Sequence, residues 1–402
     1  MNIIESLLNH DEWLRFKDYK ISGGHLTSRE EKELSEFIDK KLYLTAAEKL
    51  NCGGFFGIPE AVKVNKSSSS KKRTVFIFSD EESFIQKFIA FKLLDYDYIF
   101  ADNLYSFRRD MGVKKAISKL MYHKDVNLMY SYKLDISDYF NSVDAQILLP
   151  ELKETLADDG KLYTILENML TEPYSLIDGE KESVKKGILA GSPVSGFLAN
   201  LYLNELDKYF ENNGILYARY SDDIIFFAQS ESEINRCAEL VYNFLKKKKL
   251  SVNPSKVSKT APCEEWTFLG FSYKDSVIDI SDISKQKLKK KMRRKARALI
   301  RWKNRKGASS ERAVKAFIRH FNKKFYSNSI TNEITWCRWY FPVINTCEGL
   351  KEIDSYMQQC IRYIATGKQN KKKFDFRYQD MKELGYTTLV NSYYRYKNNN
   401  NS

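Results

Sequence analysis

The chain has 402 residues, 43% of them hydrophobic, and a net charge of +14. A core can form, and the basic excess favours a polyanionic partner, nucleic acid or an anionic membrane surface. Six scattered cysteines without a C-x-x-C pair and four dispersed histidines argue against a zinc site or a disulfide framework. From the N-terminus, MNIIESLLNHDEWLRF carries acids and lacks the long apolar run of a signal peptide. Short helices should follow, one starting at Thr27-Ser28-Arg29-Glu30. Asn65–Lys72 reads as a flexible polar loop, Arg73–Phe78 as a strand, and Asp80–Asp95 as a helix with Phe84, Phe88 and Phe91 on one face. Tyr130–Asp135 reads as a strand. It precedes a polar helical stretch over about 144–172, a Gly-rich turn and a helix over Phe197–Phe210. Asn213-Gly214 then marks a turn, and Leu216–Ala228 reads as two apolar β segments broken by Ser221-Asp222-Asp223, a hairpin with acids near its tip. The last element is basic: Ser284–Lys306 sets Leu288, Met292, Ala296 and Leu299 on one helical face, and the Asn-rich tail Lys397–Ser402 should be disordered.

Charge is unevenly spread. Residues 281–402 hold 29 Lys/Arg against 9 Asp/Glu, a local balance of +20, which leaves −6 for the first 280 residues. Residues 285–306 alone carry thirteen basic side chains and no acid. A charge run is usually a solvated face, but without counter-charges this one is suited to phosphates. No stretch approaches the roughly 18 consecutive apolar residues of a membrane span. A cytoplasmic protein with reduced thiols and no membrane partner is the expectation.

The sharpest chemical signal is Tyr220-Ser221-Asp222-Asp223, flanked by Tyr217 and Ala218 on one side and Ile224-Ile225-Phe226-Phe227 on the other. Two carboxylates at the edge of a core repel each other and are costly to desolvate, a cost that a divalent cation removes. Oxygen-only ligands suit magnesium, with manganese as a substitute. Asp135 ends a separate strand, Lys133-Leu134-Asp135. Neighbouring strands would let Asp135 and Asp222 share two ions, a pair able to activate a hydroxyl and stabilise a leaving pyrophosphate. A nuclease would use the same geometry, so the acids alone leave the reaction open.

The order of the segments resembles reverse transcriptases, in the bacterial branch related to group II introns and retrons. Tyr220-Ser221-Asp222-Asp223 resembles the family's Y-x-D-D box. Asp135 with Phe140 resembles its first palm motif, and Gly187–Leu203 its nucleotide-pocket motif. Leu250–Lys256, Phe268-Leu269-Gly270-Phe271, Lys72-Arg73 and Tyr105-Ser106-Phe107-Arg108 resemble further palm, primer-grip and fingers motifs. Trp336–Phe341 is similar to a late thumb segment of the group II type. Together they cover about 70–275 and the region beyond.

The resemblance implies an α+β right hand: fingers over 1–129, a palm with an antiparallel sheet over 130–277 and a helical, basic thumb over 278–402. It implies Asp135, Asp222 and Asp223 as catalytic acids, with Ile136 completing the set around two Mg2+ ions. Lys72, Arg73, Phe140, Ala190, Gly191 and Lys256 would contact the incoming nucleotide, Phe140 excluding a 2′-hydroxyl. Tyr220, Phe268, Leu269, Gly270, Lys290, Arg293, Arg294 and Arg297 would hold primer and template. The partners would be an RNA template, dNTPs and a cDNA product. Two positions depart from the family pattern: Ala190 stands in place of a glutamine, and Gly196 follows Ser195 in place of a proline. Neither an RNase H domain nor the DNA-binding and endonuclease domains of intron-encoded proteins is expected. The best resemblance is to stand-alone, defence-associated bacterial enzymes encoded with a structured non-coding RNA. A retron or intron-derived enzyme is the alternative, and an RNA-binding protein with a silent polymerase fold is a third reading, disfavoured by the three intact acids.

Overall fold

Strands form where apolar residues run together between turn signals, and helices where they recur every three or four positions. The computed structural model describes residues 2–23, 26–65, 72–172, 174–184, 187–326, 335–367 and 374–401. They fall into two compact units, Met1–Glu264 and Glu265–Ser402. Most of the loop expected over Asn65–Lys72 lies outside the described residues.

The first unit holds β1 (Glu60–Asn65), β2 (Lys72–Ile77), β3 (Tyr130–Asp135), β4 (Tyr174–Ile177), β5 (Glu180–Ser183), β6 (Tyr217–Tyr220), β7 (Asp223–Ala228) and β8 (Ser258–Thr260). The expected helix start is present: Thr27 and Glu30 form a reciprocal cap on Ser28–Asp39. Trp13 stacks on Tyr43 and meets Phe16, Phe37 and Phe88, tying the N-terminal helices to the helix Asp80–Leu93. The stretch expected as one helix over 144–172 is two, Ala145–Thr155 and Gly160–Thr171. Buried Asp159 makes the break, accepting the Leu162 N–H at 3.0 Å and the Ile3 N–H at 2.6 Å. The helix expected over Phe197–Phe210 likewise divides at Leu203 into Ser195–Tyr202 and Asn204–Asn212.

Two four-stranded sheets result, β2-β1-β4-β5 and β6-β7-β3-β8. The second is antiparallel throughout. Leu134, Ile224, Ile225, Phe226 and Phe227 are all buried, and the helix Glu231–Lys247 packs on β3 and β7. Cover on both faces explains why β7 reads as an unbroken apolar run rather than an alternating one.

The second unit joins a three-stranded antiparallel sheet, β9 (Trp266–Phe268), β10 (Phe271–Lys274) and β11 (Val277–Ile280), to a set of helices. Its basic helix, Asp282–Lys306, is capped by Ser281 and ends at Gly307, whose φ of 60° closes the last turn. Leu288, Met292, Ala296 and Leu299 are its buried stripe, as expected. It packs on Ser310–Tyr326 and Glu348–Thr366. The tail corrects the sequence expectation: Leu389–Asn401 is helical. Buried Tyr393 anchors it, donating its hydroxyl to the Ile344 carbonyl at 2.8 Å and meeting the Phe341 ring edge-on. Among the described residues no helix is long and apolar enough to cross a membrane.

Candidate metal centre

Register brings the acids together. In the β3–β7 ladder Asp135 lies opposite Asp223, and in the β6–β7 hairpin Tyr220 lies opposite Asp223. That leaves Ser221-Asp222 as a two-residue turn, with Ser221 at φ 59°. Carboxylate oxygens of Asp135, Asp222 and Asp223 lie within 4.8 Å of one another. The Ile136 N–H donates to the Asp222 carbonyl at 3.0 Å, and the Asn253 N–H to the Asp135 carbonyl at 2.8 Å, so both acid-bearing segments are fixed by backbone bonds.

The electrostatics call for a cation. Burial, then the charges of Asp223 and Asp135, push the Asp222 carboxyl up to about 7. Lys256 supplies part of the balance, its Nζ 2.5 Å from Asp135 Oδ2. Burial works against the lysine's charge, but the bond to Asp135 and the field of the three acids outweigh it and raise its pKa. A cluster of carboxylate oxygens suits a hard divalent cation.

Beneath the turn lies a buried support that sequence reading missed. Arg219 and Asp207 are wholly buried and paired: Nε approaches Oδ1 at 2.8 Å and Nη2 approaches Oδ2 at 2.5 Å. The same guanidinium donates to the carbonyls of Ser221, at 3.3 Å, and Asn200, at 3.2 Å. Burial opposes its charge, yet the Asp207 carboxylate prevails and holds the guanidinium above its ordinary pKa. Ser106 Oγ accepts the Ser221 N–H at 2.8 Å, and Asn200 Nδ2 donates to the Ser106 carbonyl at 2.8 Å. Asp207 and Arg219 sit on different elements, so no spacing in the sequence announces the pair.

Phe140 stands on the short helix Tyr139–Ser142, which follows Asp138, an exposed residue at φ 49° outside the acid cluster. Its carbonyl accepts the Ile188 N–H at 2.9 Å. Gly187 has to be glycine: φ is 100°, and a Cβ there would lie 2.6 Å from the Phe140 carbonyl oxygen. Ala190 and Gly191 rest on β2, the Phe76 N–H donating to the Ala190 carbonyl at 2.8 Å. Lys72 and Arg73 begin that strand, and their side chains lie outside the described residues. Tyr220 is partly buried at the end of β6, where burial raises its pKa.

The remaining expected contacts lie in the second unit. Phe268 is buried at the end of β9, and Leu269-Gly270, both at positive φ, make the tight β9–β10 turn. Trp339 Nε1 donates to the Leu269 carbonyl at 3.2 Å. Lys290, Arg293, Arg294 and Arg297 are exposed at helical spacing along one side of Asp282–Lys306. On another side of that helix Lys285 and Lys289 are held by Glu352.

Three carboxylates at one end of an antiparallel sheet could hold a metal ion between them, and paired metal ions on carboxylates are an arrangement that phosphoryl-transfer chemistry uses. Residues 64–273, just over half of the chain, match the family described as reverse transcriptase (RNA-dependent DNA polymerase), and the chain belongs to that family. Its mixed α+β architecture agrees with the sequence expectation. The putative COX1/OXI3 intron 2 protein of Saccharomyces cerevisiae is 27% identical over 153 residues, 38% of this chain and 17% of that protein. Among solved structures, apo telomerase of Candida tropicalis truncated from its C-terminal domain has a TM-score of 0.46 at 12% identity, covering 56% of this chain and 55% of that one. Telomerase of Candida albicans in complex with a TWJ fragment of telomeric RNA has a TM-score of 0.44 at 13% identity, covering 82% of this chain and 64% of that one. The chain thus spans about a sixth of the curated relative's length and about half of the truncated telomerase's.

Proposed function

We propose that this protein copies an RNA template into cDNA, with Asp135, Asp222 and Asp223 as its catalytic acids. The observation that carries the proposal is the pairing of Asp135 with Asp223, with Asp222 in the adjoining turn. These carboxylates and the Ile136 carbonyl would hold two magnesium ions, manganese substituting. When bound, such ions supply activation of a primer 3′-hydroxyl and neutralisation of the leaving pyrophosphate. Lys256 orients the triphosphate, Lys72 and Arg73 bind its outer phosphates, and Phe140 excludes a 2′-hydroxyl. Ala190 and Gly191 line the nucleotide pocket.

Residues 1–129 act as fingers, 130–277 as palm and 278–402 as thumb. Tyr220 and the turn Phe268-Leu269-Gly270 position the primer. The basic stripe Lys290, Arg293, Arg294 and Arg297 follows the phosphates of the A-form duplex. The natural template is a structured non-coding RNA and the setting is bacterial antiviral defence, a reading supported by the resemblance of the sequence to stand-alone, defence-associated enzymes. The likeness to a yeast intron protein favours a second reading, an intron-derived enzyme with a different RNA partner.

The test is primer extension on RNA with magnesium and dNTPs, beside Asp222→Ala/Asp223→Ala, with sequencing of the RNA that co-purifies. Extension by the native protein alone, and enrichment of one structured RNA, are expected. Extension that survives in the double variant, or fails on the co-purifying RNA as well, overturns the assignment.

A further inference from the structure

The loop Leu104–Arg108 is fastened on both sides. Leu104 bridges to Arg219 on β6, the Tyr105 N–H donates to the Arg219 carbonyl at 3.0 Å, and the Arg219 N–H donates back to the Asn103 carbonyl at 3.0 Å. Ser106 turns inward and accepts the Ser221 N–H under the acid turn. Arg108 closes the other end, gripping the Asp97 carboxylate at 2.8 and 3.0 Å and the Leu104 carbonyl at 3.2 Å.

Between these anchors Phe107 takes φ 54°, a left-handed conformation unfavourable for a bulky side chain. Its ring is not in the core: 51% of Phe107 stays exposed. A strained, outward-facing aromatic residue between rigid flanks signals a position held for use rather than for packing.

What the ring touches gives the use. It meets Phe140 edge-on, centroids 6.1 Å apart and planes at 77°. Tyr139 meets Phe140 in the same manner, at 5.8 Å and 78°, and is itself fixed by a bond from its hydroxyl to the Ala199 carbonyl at 2.5 Å. Phe140 is therefore in edge-on contact with two rings. Phe107 lies over Gly196, where an added Cβ would stand 2.7 Å from its Cγ and 2.8 Å from its Cδ1. Neither a proline nor any other side chain fits at 196 with the ring in place, which accounts for one of the two departures from the family motif.

We propose that Phe107 is a positioning residue for sugar selection: seated on Gly196, it locks the Phe140 ring so that a ribose 2′-hydroxyl cannot push it aside. The inference rests on the reading of Phe140 as the sugar-selecting residue. Exclusion by bulk works only as well as the excluding group resists displacement. An edge-on aromatic pair contributes enough to change discrimination by several-fold, up to roughly tenfold.

The test is single-nucleotide incorporation by the full chain, read as the ratio of kcat/KM for a dNTP to that for the matching rNTP. Phe140→Ala should collapse the ratio. Phe107→Ala and Gly196→Ala should each lower it several-fold, Phe107→Tyr should retain it, and Phe107→Ala/Phe140→Ala should fall no further than Phe140→Ala. A lowered ratio in Phe140→Ala with native ratios in both Phe107→Ala and Gly196→Ala overturns the role of Phe107 and leaves that of Phe140 standing. A native ratio in Phe140→Ala overturns both. An activity-independent readout is the 19F resonance of 4-fluorophenylalanine placed at position 140. Phe107→Ala and Gly196→Ala should each shift or narrow it as the ring is freed, and an unchanged resonance in both sinks the proposal.

Discussion

Replacing Arg219 by methionine removes a guanidinium from a place where neither it nor its partner Asp207 has any exposed surface. Among the described residues, the Asp207 carboxylate would keep only the Tyr217 hydroxyl, at 2.9 Å, as a side-chain donor. Stranding one member of a buried pair costs about 3–5 kcal/mol. The carbonyls of Ser221 and Asn200 lose a donor as well, each worth about 1 kcal/mol, and these losses overlap with the first because the groups form one network. A total of about 4–6 kcal/mol is expected, a large part of the roughly 5–15 kcal/mol that holds a typical domain together. Urea unfolding followed by circular dichroism would measure it. Arg219→Lys should fall between, since an ammonium cannot reproduce the fork. Arg219→Met/Asp207→Leu should recover most of the loss, because the buried charge goes with its partner. A single variant that costs less than about 1 kcal/mol, or a double variant no better than the single, would refute the account of the pair as mutual compensation.

Three further outcomes follow from the acids and the basic helix. Because the native state raises the Asp222 pKa from an ordinary 3.8 to about 7, the metal-free fold binds this proton more tightly than the unfolded chain does. Its stability should therefore fall as pH rises between those values, by at most about 4 kcal/mol. Magnesium binding should release close to one proton at pH 6 and almost none at pH 8, measured by calorimetry in buffers of different ionisation heat; release that does not vary with pH contradicts the assignment. Changing Lys290, Arg293, Arg294 and Arg297 to glutamine should weaken binding of an RNA–DNA duplex at all sequences and flatten its salt dependence by about one unit of slope for each phosphate no longer neutralised. Fluorescence anisotropy across a salt series checks this, an unaltered slope showing that the phosphates lie elsewhere.

Much of the acid-bearing sheet is legible in the sequence. Tyr130–Asp135 forms a strand over the residues expected, and the apolar run Ile224–Phe227 with its polar interruption announces the β6–β7 hairpin. What is not legible is long-range. The breaks at Asp159 and Leu203 interrupt continuous helical periodicity, and the Asp159 cap depends on a partner at Ile3. The β4–β5 hairpin escaped notice because every residue of β5 is exposed and no alternation marks it. Its signal was local: Asp178-Gly179, both at positive φ, is a strong two-residue turn sequence. Around the acids, residue types and order point to the three carboxylates that the structure brings together, but nothing in them reveals that Arg219 and Asp207 face each other beneath the turn.

The topology also sets the order in which the protein can take shape during synthesis. Strand β3 lies inside its sheet, Ser131 pairing with Phe227 on one side and Thr260 on the other. Translation delivers β3 long before either neighbour, so both of its edges stay open while the ribosome adds the long stretch of chain up to β7 and β8. Helices need no distant partner and can form as they emerge, whereas this sheet must wait for remote segments to return. The carboxylates therefore meet only late in the life of the nascent chain. Until then Tyr130–Asp135 is an uncovered strand whose open edges can pair with the wrong partner.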